Sequence, residues 1–201
     1  MISLIEHLEH GEDGRRARIL AGATKVFLAY GFQRTTMDDI ARAAEISRPA
    51  LYVLFRNKTD IYRALASEFL EQVVVLTRKT LNCANTSLDV RIREATAAFT
   101  CLLAEVEESP HGLELLDMQN SLASDIVNAG REQLVQMFTD AIDAEMRASG
   151  RDLAASGLSA LGLANMLLDA LDGMKMRRPD REEQEMLHAQ YISALAAILR
   201  G

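Results

Sequence analysis

Apolar residues recur at helical spacing along most of this chain of 201 residues. The first run covers residues 15–30 and ends at Gly31, where a helix C-cap favours a left-handed residue, with Phe32 able to pack back on the helix. No segment shows the period-two alternation of strands. The later runs predict helices over 88–107, 111–118, 121–148, 155–174 and 182–199. With the four helices of the N-terminal third, the pattern predicts an all-α fold of about nine helices.

Capping residues place two short helices after the first one. Thr36 opens a capping box, which predicts a helix over residues 37–44, and Ser47 is the N-cap of a helix over residues 48–54. Asn57 and Asp60 make another cap pair and start the fourth helix, whose apolar face is Ile61, Leu65, Phe69, Val73 and Leu76.

The second and third predicted helices together make a helix-turn-helix over about residues 36–55. The small Ala41 permits a close crossing of the two helices. Glu45 occupies the place in the turn where glycine is usual, at a cost of about 1 kcal/mol if its backbone is left-handed. The core between the helices is predicted to contain Ile40, Ile46, Leu51 and Phe55.

Charge is distributed unevenly along the chain, whose formal net charge is −7. Residues 15–63 contain ten lysines and arginines and four acids, a net of +6, so the rest of the chain carries −13. A basic segment attached to an acidic body indicates that one part of the protein meets a polyanion and the other does not.

The segment ILAGATKVFLAYGFQRTTMDDIARAAEISRPALYVLFRNKTDIYRAL resembles the DNA-binding domain of the TetR family of bacterial regulators. The likeness covers about residues 15–65. It implies an N-terminal arm (1–14), a three-helix DNA-binding domain (15–63) and a larger helical domain for ligand binding and dimerisation (64–201).

The resemblance assigns DNA-binding roles to basic, hydroxyl-bearing and small side chains. Thr36, Tyr52 and Lys58 are expected to contact phosphates. Arg48 is the best candidate for reading a guanine bidentately, and Pro49 and Ala50 are small enough to approach thymine methyls. The complete predicted set is Arg34, Thr36, Arg48, Pro49, Ala50, Tyr52, Arg56 and Lys58.

Each DNA-binding assignment has a structural alternative. Tyr52 could be a core residue, Arg48 a solvated residue at a helix start, and Thr36 only a cap. Val53-Leu54 stands where the family often has a polar aromatic-histidine step. One phosphate contact is therefore expected to be missing, and Arg34 and Arg56 are candidates to replace it.

The body of the chain supplies predicted pocket and dimer residues, although core packing remains an alternative for both sets. The last two helices carry small and apolar residues on more than one face, and the resemblance implies that they form a four-helix bundle across a two-fold axis. The predicted dimer residues are Leu158, Leu161, Met166, Tyr191, Ile192, Leu195 and Leu199. The predicted ligand pocket is lined by Phe99, Leu102, Leu103, Met118, Leu122, Met137, Phe138 and Met166.

The function implied by the resemblance is ligand-responsive regulation of transcription. A dimeric repressor would bind a palindromic operator and be released when a small, largely apolar effector shifts the fourth helix. Control by a protein partner, control by cysteine oxidation, and activation in place of repression are the alternatives. The expected partners are operator DNA, the effector and a second copy of the chain.

The enzyme alternative has little support in the sequence. Glu185-x-x-His188 resembles half of a di-iron carboxylate motif, but a second such pair is absent and His7-x-x-His10 lies in the arm. No nucleophile elbow, phosphate loop or dinucleotide fingerprint occurs, and we expect neither a cofactor nor a metal.

Compartment and cysteine use agree with a cytoplasmic regulator. The N-terminus does not resemble a signal peptide, and no apolar run reaches the roughly 18 residues of a membrane span, so we expect a cytoplasmic protein with no membrane partner. In a reducing compartment Cys83 and Cys101 are expected to be buried small hydrophobes, with a redox switch as the alternative.

Overall fold

The computed structural model describes residues 14–83, 85–177 and 180–200, and within them every element of regular secondary structure is a helix. A 3-10 turn, Leu153–Ser156, precedes the ninth helix. The α-helices are α1 (Gly14–Tyr30), α2 (Met37–Ala43), α3 (Arg48–Leu54), α4 (Lys58–Leu81), α5 (Leu88–Glu107), α6 (Gly112–Asp117), α7 (Gln119–Leu122), α8 (Ser124–Ser149), α9 (Ala160–Arg177) and α10 (Arg181–Arg200).

The all-α prediction is confirmed, and each of the nine predicted helices is present. The helices predicted over 48–54 and 88–107 have the predicted ends, and others are shifted. α7 is an extra single turn, so α8 starts at Ser124 and not at residue 121. α9 starts at Ala160 and not at 155, because Gly157 at φ 70° ends the preceding 3-10 turn. The predicted arm, 1–14, lies outside the described residues except for Gly14.

The chain forms two compact units. The first contains residues up to Gln72 together with Phe99–Gly130, and the second contains Val73–Ala98 together with Arg131–Gly201. Helices α4, α5 and α8 contribute segments to both units. The boundary near residue 63 between a DNA-binding and a ligand-binding domain stays a prediction.

The core of the first unit joins the three N-terminal helices. Ile19 and Phe27 of α1, Ile40 of α2 and Leu51 of α3 are fully buried together. Gly31 has φ 82° and ends α1, and the Phe32 ring lies 5.2 Å from the Phe27 ring, as the C-cap pattern predicted. These contacts pack α1, α2 and α3 around one common core.

The turn between α2 and α3 has the Schellman form. The Ile46 amide donates to the Ala41 carbonyl and the Glu45 amide donates to the Arg42 carbonyl. Glu45 takes φ 54°, the left-handed conformation that this motif requires and that glycine adopts most easily. Glu45 is the single non-glycine residue with positive φ in the described ranges.

The close crossing of α1 and α2 depends on a glycine in α1. A Cβ on Gly22 would lie 2.8 Å from the Ala44 amide nitrogen and 2.9 Å from the Ala43 carbonyl carbon. Both are backbone atoms, which cannot rotate away. The backbones of α1 and α2 are therefore in direct contact, and a displacement of one is passed to the other.

The second unit packs α9 and α10 around fully buried residues that include Leu163, Met174 and Ile192. Arg131 of α8 forms ion pairs with Asp169 at 2.6 Å and Asp172 at 2.9 Å. A helix long and apolar enough to cross a bilayer does not occur in the described part of the chain.

The expected burial of the two cysteines is wrong. Cys83 and Cys101 are both exposed free thiols. Cys83 lies two residues after Leu81, the last residue of α4, and Cys101 lies at an exposed position of α5. Periodicity did not separate these positions from the apolar stripe beside them.

Candidate nucleic-acid interface

The N-terminal half of α3 presents the predicted base-reading residues to solvent. The Ser47 hydroxyl accepts from the Ala50 amide and starts the helix, with Pro49 tolerated in the first turn because its missing N–H has no intrahelical partner there. Arg48 and Pro49 are exposed and Ala50 is half-buried. Leu51 is fully buried, so α3 is anchored on one side and open on the other.

Arg48 is oriented by two neighbours on the same surface. Its guanidinium lies 2.9 Å from an Asp38 carboxylate oxygen and 5.6 Å from the centre of the Tyr52 ring. The Tyr52 side chain is 42% exposed, so it is not the core residue that one reading of the sequence allowed. A base or phosphate that takes Arg48 must compete with Asp38 for the guanidinium.

Thr36 caps α2 through a complete capping box. Its hydroxyl donates to the Asp39 carboxylate at 2.6 Å and accepts from the Asp39 amide, while its own amide donates to the same carboxylate at 3.0 Å. These hydrogen bonds from Thr36 lower the pKa of Asp39 below its ordinary value. A phosphate contact from the Thr36 hydroxyl would have to displace Asp39.

The Lys58 side chain hydrogen-bonds to the loop between α1 and α2. Its Nζ donates to the carbonyls of Phe32, Gln33 and Thr35 at 2.7, 3.1 and 3.2 Å, and lies 4.6 Å from the centre of the Phe32 ring. This side chain therefore ties the first turn of α4 to that loop. The charge stays near the surface, but its three donors already have acceptors.

The other basic residues of this segment differ in their exposure and in their ion pairs. Arg34 and Arg56 are exposed, in the positions where a replacement phosphate contact was expected. Arg63, which adds to the positive count of the segment, forms a two-pronged pair with Asp125 at 2.8 and 2.6 Å. The Arg63 guanidinium lowers the pKa of Asp125 to about 2, and the pair removes one charge from the patch.

Two residues of this surface were missed by sequence reasoning. Val53 is 78% exposed on the open side of α3, beside Tyr52. Asp38 was not among the predicted site residues, yet its carboxylate accepts a hydrogen bond from Arg48. The helical period of 3.6 residues places Val53 next to Pro49 on α3, so this position could have been predicted from the sequence. The contact between Asp38 of α2 and Arg48 of α3, which are ten residues apart, could not.

The predicted dimer residues separate into exposed and buried sets. Leu161 and Met166 are 53% and 56% exposed, whereas Ile192 and Leu199 are 1% and 7% exposed in the single chain. The last two residues pack in their own unit and are not free for a partner. An apolar groove between α9 and α10 is lined by Leu163, Met166, Leu167, Ala170, Tyr191, Ala194, Leu195 and Ile198.

The predicted ligand-pocket residues are divided between the two compact units. Met166 lines the α9–α10 groove, and Phe138 is almost fully buried. Leu102 and Leu103 are buried in α5, and Phe99 packs beside Leu103. Met118 and Leu122 are partly buried against the core of α1–α4, and Met137 is half-buried in α8. Their role in ligand binding remains a prediction.

The half motif Glu185-x-x-His188 does not form a metal centre. The His188 Nε2 lies 2.7 Å from the Thr96 hydroxyl, which also bonds to backbone carbonyls, and Glu185 pairs with Arg181. Burial, with a smaller effect of the Arg93 charge, lowers the pKa of His188. No cluster of three metal-ligating side chains occurs within the described ranges.

Comparison with known proteins supports the interpretation of this surface as a nucleic-acid interface. A model of the family "Bacterial regulatory proteins, tetR family" matches residues 19–65, which include α2, α3 and the start of α4. Residues 19–65 therefore form a DNA-binding segment of the TetR family. The named relatives of this chain are HTH-type transcriptional regulators.

A curated relative extends the likeness beyond the DNA-binding segment. The transcriptional activator FasR of Mycolicibacterium smegmatis is 29% identical over 159 residues, which are 79% of this chain and 71% of FasR. The transcriptional repressor ComR of Escherichia coli is 24% identical over 55% of this chain and 52% of its own length.

A solved structure with the same fold covers nearly the whole chain. A complex of SmeT with triclosan superposes with a TM-score of 0.71 at 20% identity, over 92% of this chain and 91% of the other. SmeT is the repressor of a multidrug efflux pump of Stenotrophomonas maltophilia. At this identity the superposition establishes the fold alone.

Proposed function

We propose that this protein is an effector-released repressor of the TetR family, which binds a palindromic operator as a dimer. The observation that carries the DNA-reading part is the open face of α3. There Arg48, Pro49, Tyr52 and Val53 are exposed around an anchored helix start. A guanidinium suits guanine O6 and N7, while the apolar Pro49 and Val53 suit thymine methyls.

Charge supports DNA as the partner of this face. The segment that contains α1–α3 carries a net +6, while the remainder carries −13. Phosphate attraction is therefore confined to one end of the sequence, which orients the protein on the duplex. The exposed Arg34 and Arg56 are the proposed phosphate contacts, and the proposed Lys58 contact uses its charge without a new hydrogen bond.

The dimer is proposed to form through α9 and α10. Leu161, Met166 and Ile198 are exposed apolar side chains on these two helices. The apolar groove between the helices gives a second copy a surface to fill. A two-fold dimer then presents two α3 helices to two half-sites about one turn of DNA apart.

The small-molecule effector is proposed on the precedent of SmeT, which forms a complex with triclosan. Activation is the second candidate for the sign of regulation, because FasR is a transcriptional activator. In vitro transcription from a promoter that carries the selected operator separates the two signs. Repression predicts fewer transcripts with protein, restored by effector, and activation predicts more.

The first test is selection of binding sites from random-sequence duplex DNA, followed by fluorescence anisotropy on the selected site. The proposal predicts a palindromic site and an affinity that falls steeply with salt. Arg48→Ala should weaken specific binding about 5- to 150-fold, equivalent to about 1–3 kcal/mol, with little change on unrelated DNA. Arg147→Ala, at an exposed arginine of α8, is the matched control.

Asp38→Asn sharpens this test because it frees Arg48 without removing it. Loss of the 2.9 Å ion pair should tighten binding to unrelated DNA more than to the selected site. If selection returns no preferred sequence at low salt, with or without added hydrophobic ligands, the proposed function is wrong.

A further inference from the structure

The first compact unit joins the helix-turn-helix to a segment that lies far along the chain, Phe99–Gly130. Two hydrogen bonds connect this segment to α1 and α4. The His111 amide, at the start of α6, donates to the Leu28 carbonyl at 3.2 Å, and the Tyr62 hydroxyl donates to the Leu115 carbonyl at 2.6 Å. The helices that precede and follow the helix-turn-helix are therefore held to α6 as well as to each other.

Arg63 of α4 makes a third connection to the same segment. Its Nη1 donates to the Leu122 carbonyl and to one Asp125 carboxylate oxygen, both at 2.8 Å, and its Nη2 donates to the other Asp125 oxygen at 2.6 Å. Leu122 is the last residue of α7, and Asp125 lies in the first turn of α8. Because a guanidinium presents its donors in a fixed planar fork, this arrangement fixes the direction of α4 at the α7–α8 junction.

Lys58 continues this connection to the helix-turn-helix. It precedes Arg63 by five residues, about 7.5 Å along α4, and its Nζ donates to three carbonyls of the loop between α1 and α2, that of Thr35 among them. Thr35 directly precedes Thr36, the N-cap of α2. The first two turns of α4 therefore carry one cation that holds the start of α2 and another that holds the α7–α8 junction.

We propose that Arg63 is a positioning residue for operator recognition, which acts through Asp125 and does not itself contact DNA. The two side chains are 37% and 66% exposed, so their ion pair adds little to the free energy of unfolding. What the pair fixes is the orientation of the helix-turn-helix within its own unit. In the proposed dimer, a helix-turn-helix that is free to tilt tolerates several half-site spacings, whereas a fixed one selects a single spacing. The inference rests on the proposed function, since it concerns how that dimer chooses its operator.

The alternative role for Arg63 is a phosphate contact, because this basic residue follows the helix-turn-helix closely. The two roles predict opposite effects of removing the Asp125 charge. If Arg63 bound phosphate, Asp125→Asn would free the guanidinium and tighten binding to every duplex. If Arg63 positions α4, the same substitution weakens binding to the operator, because the two-pronged ion pair is lost.

The test compares Asp125→Asn and Arg63→Lys by fluorescence anisotropy on the selected operator and on unrelated duplex DNA. Lysine keeps the charge that a phosphate contact needs but loses the fork that pairs with both carboxylate oxygens. We expect each variant to weaken operator binding about fivefold, the upper range for an exposed ion pair, with little change on unrelated DNA. The double variant should be no weaker than either single one, because both substitutions break the same interaction.

Asp169→Asn is the matched control for Asp125→Asn. It removes the same charge and breaks a 2.6 Å ion pair with Arg131, and its side chain is 71% exposed against 66% for Asp125. Both Asp169 and Arg131 belong to the second unit. We expect this control to bind the operator as the unmodified protein does.

The spacing of the half-sites distinguishes positioning from a loss of folded protein. The same proteins are measured on operators whose half-sites are one base pair closer together or further apart. We expect Asp125→Asn and Arg63→Lys to lose about fivefold of the preference for the selected spacing, whereas a smaller folded fraction would weaken all duplexes alike. Tighter binding of Asp125→Asn to all DNA, unchanged operator binding by Arg63→Lys, or an unaltered spacing preference would overturn the inference. Absence of any selected operator would instead refute the proposed function.

Discussion

Replacing Gly22 by alanine puts a methyl group into the contact between α1 and α2. The new Cβ would lie 2.8 Å from the Ala44 nitrogen, against 3.4 Å for ordinary van der Waals contact, so the two backbones must separate by about 0.6 Å. Overpacking of this kind costs about 1–3 kcal/mol. Alanine in place of glycine stabilises a helix by up to about 1 kcal/mol, which partly offsets the cost of the clash.

Gly173→Ala in α9 is the matched control, because its Cβ would meet no atom within 4 Å. We expect Gly173→Ala to raise the free energy of unfolding by up to about 1 kcal/mol and Gly22→Ala to lower it by up to about 2 kcal/mol. The difference between the two variants, about 1–3 kcal/mol, measures the clash alone.

Urea unfolding followed by far-ultraviolet circular dichroism gives both free energies, and anisotropy on the selected operator gives the DNA affinity. Gly22→Ala should also weaken operator binding, because α2 and α3 move with the displaced backbone. Equal stabilisation by the two substitutions would refute the argument that α1 and α2 meet through their backbones.

Three further predictions concern single side chains. Glu45→Gly should raise the free energy of unfolding by about 0.5–1 kcal/mol in urea, as relief of the left-handed strain exceeds the added chain entropy; a destabilised variant would contradict this. Lys58→Met should lower it by about 1–3 kcal/mol, because three carbonyls lose their donor; a purely phosphate-binding lysine would leave stability unchanged. His188 has a lowered pKa in the fold, so its neutral form stabilises the protein above pH about 6.5 and this contribution is lost as the pH falls below that value. His188→Gln should flatten the dependence of Tm on pH in that range, and an unaltered slope would exclude the histidine as its source.

Local patterns predicted the helices of the DNA-binding segment well because each is decided by a few neighbouring residues. Thr36, Ser47 and Asn57 each satisfy backbone amides within three positions, and the cap is made wherever that spacing occurs. The sequence also placed Glu45 at the turn position where glycine is usual, and its φ of 54° agrees with that placement.

The ends of the later helices were less predictable. Residues 118–123 and 153–159 are apolar enough to continue a helical period, yet α7 ends at Leu122 and Gly157 turns the chain before α9. Helical periodicity indicates which face of a segment is buried. A turn that keeps the same face buried does not change the periodicity, so the turn cannot be predicted from it.

The sequence by itself determined that this chain is helical, that residues 19–65 carry a TetR-type DNA-binding unit, and that its positive charge is concentrated there. These properties depend on near neighbours and composition. Only the tertiary structure decided that Lys58 is held by three carbonyls, that Asp38 holds Arg48, and that Arg63 pairs with Asp125. Such contacts join residues that are distant in the chain, and no spacing along the sequence encodes how the helices are placed in space.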